Sequence, residues 1–132
     1  MKYFSISELC ASATAARRGI DNTPNAQHVA NLEALVLNVL DPLREAYGEP
    51  VTVTSGYRCP ALNKAVGGAV TSHHLRGMAA DLSVGGPAEN RRLFELAQTL
   101  HLPFCQLIDE KKFRWVHISY DPTNKKRQVL HL

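Results

Sequence analysis

From Asn25 to Tyr47 the apolar residues Val29, Leu32, Leu35, Val36, Val39, Leu40 and Leu43 recur at three- and four-residue intervals. That period belongs to a long amphipathic helix, with Pro24 at its start and Gly48 just past its end. Pro42 falls inside the pattern, where it removes a backbone donor, so a kink or break is expected near Leu40-Asp41. Upstream, Ser5 to Arg18 reads as a first helix: Ser5 and Glu8 have the spacing of a capping box, and Gly19 is a natural stop. Downstream the period changes. Val51-Thr52-Val53-Thr54 is a short β-branched strand. Ser55 to Thr71 is Gly-rich and irregular, with a turn of helix at Ala61 to Ala65. Met78 to Val84 reads as a second strand, with Ala80, Leu82 and Val84 alternating with Ala79, Asp81 and Ser83. Pro87 to Leu100 is a helix. Phe104 to Glu110 and Arg114 to Tyr120 make a hairpin around the polar Asp109 to Lys112 segment. The basic tail after Asp121-Pro122 is either an edge strand or loose. Helices first, then strands mixed with a helix, and no repeat or linker, predict one α+β domain over residues 1–132.

Composition narrows the class by exclusion. Apolar residues make up 45% and charged residues 20% of the 132 positions, which excludes disorder, coiled coil and collagen. No apolar run approaches the ~20 residues of a membrane span. The start, Met1-Lys2-Tyr3-Phe4-Ser5, has no apolar signal core, so the expected compartment of synthesis is the cytoplasm. The three cysteines, Cys10, Cys59 and Cys105, are odd in number and form no CxxC pair. A disulfide framework and a cysteine-rich zinc site are therefore not expected, and any metal must rest on His and carboxylate. Net charge is +3, and the basic residues are scattered or terminal (Lys125-Lys126-Arg127). Without a basic stripe interleaved with aromatics, no nucleic-acid partner is expected. A monomer is the expected state.

The chemistry-bearing residues cluster in three places. In Ser72-His73-His74-Leu75-Arg76-Gly77-Met78-Ala79-Ala80-Asp81, His74 lies on a loop. Asp81 lies on the strand face opposite Ala80, Leu82 and Val84, beside the small Ala79 and Ser83. Gly77 lets loop and strand fold back so that the two side chains converge. Taken alone, this pair reads more simply as a loop His and an Asp in a surface salt bridge. Trp115-Val116-His117-Ile118-Ser119 then puts Trp115, His117 and Ser119 on one strand face. A His there is ordinarily a structural hydrogen-bonder, but with His74 and Asp81 it would complete a His2Asp set with a fourth position open. That is the pattern of catalytic rather than structural zinc. Hydrolysis would also need a base. If the hairpin pairs Glu110 with Trp115, Ile108 lies opposite His117 and Glu110 lies on the metal side. A one-residue slip would exchange Glu110 for Asp109, and both could equally be solvated turn residues. Arg58, after the turn Ser55-Gly56-Tyr57, has the planar fork that suits a substrate carboxylate or carbonyl.

Taken together, Ser55-Gly56-Tyr57-Arg58, Asn63 with Val66-Gly67-Gly68-Ala69, Ser72-x-His74-x-x-Gly77-x-Ala79-x-Asp81 and Trp115-Val116-His117 resemble the zinc D-Ala-D-Ala carboxypeptidase and L-alanyl-D-glutamate endopeptidase family. Its fold is shared with the Hedgehog signalling domain. The similar variant is a small bacterial and phage-borne peptidase subgroup, and the resemblance runs from about Pro24 to Tyr120. It implies a small, mostly antiparallel sheet with the N-terminal helices on one face. It implies zinc held by His74, Asp81 and His117, Arg58 near the scissile bond, Ser72 and Trp115 beside the substrate, and peptidoglycan stem peptides as substrate. Many members of the family carry an acidic base three residues before the last His; here that residue is Arg114. Gln106-Leu107-Ile108-Asp109-Glu110 matches the subgroup's alternative, which implies Glu110 as the base. A zinc-holding module of the same fold that does not catalyse is the alternative reading.

Overall fold

A computed structural model describes all residues, 1–132. The N-terminal segment forms two helices, α1 (Ile6–Cys10) and α2 (Ala13–Arg18), rather than the single helix expected over Ser5 to Arg18. The break has a local cause. Ser5 Oγ accepts from Glu8 N as expected, but Ser12 is also extended and its Oγ accepts from Ala15 N, so a second N-cap interrupts the first helix.

The long periodic stretch is one continuous rod with a defect. Helix α3 (Ala26–Leu35) passes through a π-helical turn (Val36–Leu40) into α4 (Asp41–Tyr47). A proline ring at position 42 would meet the Asn38 carbonyl of a regular α-turn. The wider turn, in which Asp41 N donates to Val36 O, relieves that conflict without ending the rod. Leu32, Leu35, Val36, Val39, Leu40 and Leu43 remain fully or almost fully buried across the junction. The N-terminus of α3 is a reciprocal cap: Asn25 Oδ1 accepts from His28 N, and His28 Nδ1 accepts from Asn25 N.

Five strands, β1 (Thr52–Ser55), β2 (Ala79–Ser83), β3 (Gln106–Glu110), β4 (Trp115–Ser119) and β5 (Gln128–His131), form one sheet in the order β1-β2-β4-β3-β5. All pairings are antiparallel except that of β5 with β3. The basic tail therefore becomes a parallel edge strand. Between β1 and β2 lie a short helix α5 (Pro60–Ala65) and a 3-10 turn (His73–Arg76); helix α6 (Pro87–Thr99) separates β2 from β3. One sheet face carries Ala80, Leu82, Leu107, Val116 and Ile118, which share the core with α3, α4 and Leu93, Phe94 and Ala97 of α6. The alternation of a strand then sends Asp81, Ile108, Glu110 and His117 to the opposite face. The fold is α+β, with the helical layer on the face away from the acidic and imidazole side chains.

Candidate metal centre

Asp81 lies in the middle of β2, between β1 and β4, and His117 is its direct cross-strand partner on β4. A bulge in β1 between Val53 and Ser55 adjoins Asp81 and re-aims that edge toward the site. His74 comes from the 3-10 turn. Ser72 Oγ accepts from His74 N at 3.1 Å, and Gly77, at φ +73°, closes the turn. A Cβ on Gly77 would stand 2.8 Å from the His28 carbonyl oxygen, and Asn31 Nδ2 donates to Arg76 O at 2.8 Å. The turn is thus pressed onto α3, which fixes where His74 can reach.

Three donor atoms converge. Asp81 Oδ1 is 3.2 Å from His74 Nε2 and 3.0 Å from His117 Nδ1, and one ligand atom from each residue lies within 4.8 Å of the others. All three residues are buried. His74 Nδ1 faces the Gly56 carbonyl at 2.7 Å. A carbonyl only accepts, so Nδ1 carries a proton, and Nε2 is the ring atom left facing the carboxylate. Two acceptors at 3.2 Å repel unless a proton or a metal cation lies between them. Nitrogen and oxygen donors in this proportion suit zinc. Burial alone would raise the Asp81 carboxyl; the hydrogen bonds from His117 and then His74 outweigh it and hold the group well below the usual carboxylate range.

Arg58 is locked rather than free. Its Nε donates to Ser55 Oγ at 2.9 Å, Nη1 to Asn63 Oδ1 at 3.2 Å and Nη2 to Asp81 Oδ2 at 3.2 Å, while its backbone N donates to His74 O at 3.0 Å. Burial lowers the guanidinium, and the negative charges of Asp81 and Glu110 pull the other way. Asn63, 4% exposed, holds the loop with Nδ2 on Ala69 O. Gly68 lies flat on this pair, where a Cβ would collide with the Asn63 side chain and come 2.9 Å from Arg58 Nη1.

The donor set forms the floor of a cleft of about 680 Å³, whose walls include Arg58, Ser72, His73, Ile108, Glu110 and Trp115. The hairpin takes the register that pairs Glu110 with Trp115 and Ile108 with His117, which brings Glu110 to the metal side. Asp109 faces the core instead, 7% exposed. Its Oδ1 accepts from Phe113 N at 2.6 Å, and its Oδ2 meets His131 Nδ1 at 3.1 Å. Arg114 is exposed and is not among the residues that line the cleft. His73, the neighbour of the donor His74, also lines it, and burial, reinforced by Arg76, pushes its imidazole down. Gly56 as a carbonyl partner, Ser55 as the seat of Arg58, and Asn63 as the bridge to the loop were not legible as site residues. Ser55, Gly56 and Asn63 did stand in the motifs, but a backbone oxygen leaves no mark in residue type, and the partners of Ser55 and Asn63 are set by how the loops fold.

A buried carboxylate between two imidazoles, lining an open cleft, is a donor set of the kind that holds a zinc ion with one position open. A family model described as Peptidase M15 matches residues 2–119, and the chain belongs to that family. Over 47 residues the chain is 47% identical to the zinc D-Ala-D-Ala carboxypeptidase of Streptomyces albus G, a match covering 35% of this chain and 18% of that protein. The matched stretch therefore spans less than a fifth of that curated relative.

Proposed function

We propose that this chain is a zinc peptidase that hydrolyses an amide bond in peptidoglycan stem peptides. The observation that carries the reading is the convergence of His74, Asp81 and His117 within 4.8 Å at the floor of the cleft that Glu110 also lines. The similarity to the zinc D-Ala-D-Ala carboxypeptidase of Streptomyces albus G supports both metal and substrate class. Zinc held there would supply a Lewis acid that polarises the peptide carbonyl and activates the attacking water. His74 and His117 donate ring nitrogens, and the Gly56 carbonyl fixes which nitrogen His74 presents. Asp81 supplies the oxygen donor, while Arg58 holds its second oxygen and keeps the carboxylate from turning away. Glu110 takes the proton of the attacking water and returns it to the leaving amine as the C–N bond breaks. Trp115 and Ser72 flank the peptide in the cleft.

Elemental analysis followed by incubation with muropeptides and mass analysis tests this. The expected result is about one zinc per chain and products heavier by one water, either free D-Ala or fragments split at L-Ala-D-Glu. Bound zinc with no cleavage of any stem peptide refutes the catalytic reading and favours the alternative, a zinc-holding module. The exposed Arg114, a cation where many relatives of this fold place a base, is the observation on that side.

A further inference from the structure

The turn that joins β3 to β4 is built in an unusual way. Lys111, Lys112 and Phe113 have φ of +51°, +56° and +64°, three consecutive L-residues in the left-handed region with no glycine among them. Such residues persist only where surroundings over-determine them. Two buried side chains do so here. Asp109 Oδ1 accepts from Phe113 N at 2.6 Å. Asn90 of α6, fully buried, donates from Nδ2 to Phe113 O at 2.9 Å and Arg114 O at 3.0 Å, while its Oδ1 accepts from Val84 N at 2.8 Å. The Phe113 ring packs edge-on against Phe94 of α6 at 5.4 Å. The turn closes with Arg114 N donating to Glu110 O at 3.0 Å, the bond that sets Glu110 opposite Trp115.

We infer that Asp109 and Asn90 are positioning residues that hold the left-handed turn so that Glu110, and not its neighbour, faces the cleft. The inference rests on the reading of Glu110 as base. A shift of one residue would turn Glu110 to the core side and bring Asp109 to the cleft. The polar atoms of the clamp bond the turn's backbone, Val84 N and the His131 imidazole, and neither Asp109 nor Asn90 lines the cleft. Asp109 and Asn90 therefore act through Glu110, and their loss is read in the proton-transfer step, not in metal or substrate binding.

The test is steady-state kinetics on zinc-loaded protein with a stem peptide. Asp109→Ala is expected to keep its zinc and its KM within about twofold while kcat falls by roughly 10- to 100-fold, part of the 10²–10⁴ a general base contributes. Asp109→Asn keeps an acceptor for Phe113 N and retains most of kcat. Adding Lys112→Gly to Asp109→Ala removes the left-handed cost at an exposed position and restores much of the loss. Lys112→Val penalises the same turn from the surface and leaves both clamp residues intact, so it tests the idea even if Asp109→Ala does not fold; its kcat falls with KM unchanged. Unchanged kcat in Lys112→Val, or a loss in Asp109→Ala that Lys112→Gly does not relieve, overturns the inference. Glu110→Gln separates the two levels: if it is inactive while Asp109→Ala and Lys112→Val are fully active, only the clamp is wrong. If Glu110→Gln is fully active, the base reading falls and the clamp with it.

Discussion

Gly56→Ala probes the one partner of the metal centre that no side-chain substitution can remove. The Gly56 carbonyl accepts from His74 Nδ1 at 2.7 Å. A Cβ at position 56 would collide with the Leu9 carbonyl oxygen and stand 2.9 Å from its carbon and 3.1 Å from Leu9 Cα. Both sides of that contact are backbone, and Leu9 O also accepts from Tyr57 N at 2.8 Å, so neither side can turn aside. Segment 55–57 must move, by an amount on the order of 1 Å, which is enough to lengthen a hydrogen bond beyond use. Loss of a partner that orients a metal-bound imidazole costs about 10- to 100-fold in affinity, or roughly 1.4–2.7 kcal/mol. Overpacking adds about 1–3 kcal/mol of lost stability, which for a chain of this size lowers Tm by roughly 3–12 °C. Zinc competition against a chelator and thermal unfolding of the metal-free protein read these separately. Gly48→Ala is the control: Gly48 caps α4 at φ +81° with nothing near its Cβ, so it should cost about 1 kcal/mol and leave zinc affinity unchanged. A Gly56→Ala protein that melts lower yet binds zinc as tightly as the parent would refute the orienting role of the carbonyl.

Asp81→Ala removes an oxygen donor and leaves Arg58 without its buried partner; zinc content measured after gel filtration should fall below about a tenth of an equivalent. Chelation should lower Tm in proportion to the free zinc withdrawn, with about 4 kcal/mol at stake where zinc stands at 1,000 times its Kd; a Tm insensitive to chelator would argue against a bound ion. The Asp81 carboxyl is held below the usual range in the folded chain, so the stability it contributes is present above about pH 4 and is lost as pH falls further. In metal-free protein, the stability gap between parent and Asp81→Asn should narrow in acid unfolding below that pH, and a gap that widens would reverse the sign. Phe104→Ala empties a fully buried site under the Arg127 guanidinium, 4.8 Å from the ring, and should cost about 3–5 kcal/mol in urea unfolding; a cost under about 1 kcal/mol would mean that the core closes over the space.

The elements with strong periodicity were legible, and the departures have local causes. The apolar recurrence from Val29 to Leu43 overrode Pro42, because a widened turn costs less than exposing six buried aliphatic side chains. Ser12 split the first helix because its hydroxyl caps Ala15 N, a competition that a search for caps at one end only does not see. Strand β5 was legible only as an edge or a loose tail. Its pairing with β3 is set by Arg127 and Gln128 donating to the carbonyls of Phe104 and Cys105, contacts between segments far apart in sequence.

The site divides along the same line. His74, Asp81 and His117 were legible because alternation on β2 and β4 already placed two of them on one face, and the Gly77 turn returned the third. Arg58 was expected to meet a substrate carboxylate or carbonyl; its three hydrogen bonds to Ser55, Asn63 and Asp81 tie it to a donor side chain, an arrangement that depends on Gly68 lying against it. The choice between Asp109 and Glu110 depended on register, and register in a hairpin is decided by its turn. The sequence signal for a left-handed turn is glycine or asparagine, whereas Lys111-Lys112-Phe113 has neither. The conformation is held by Asp109 and by Asn90, twenty-three residues before Phe113, which donates to its carbonyl from another element. A carboxylate's assignment to the cleft was therefore encoded partly outside the segment that contains it.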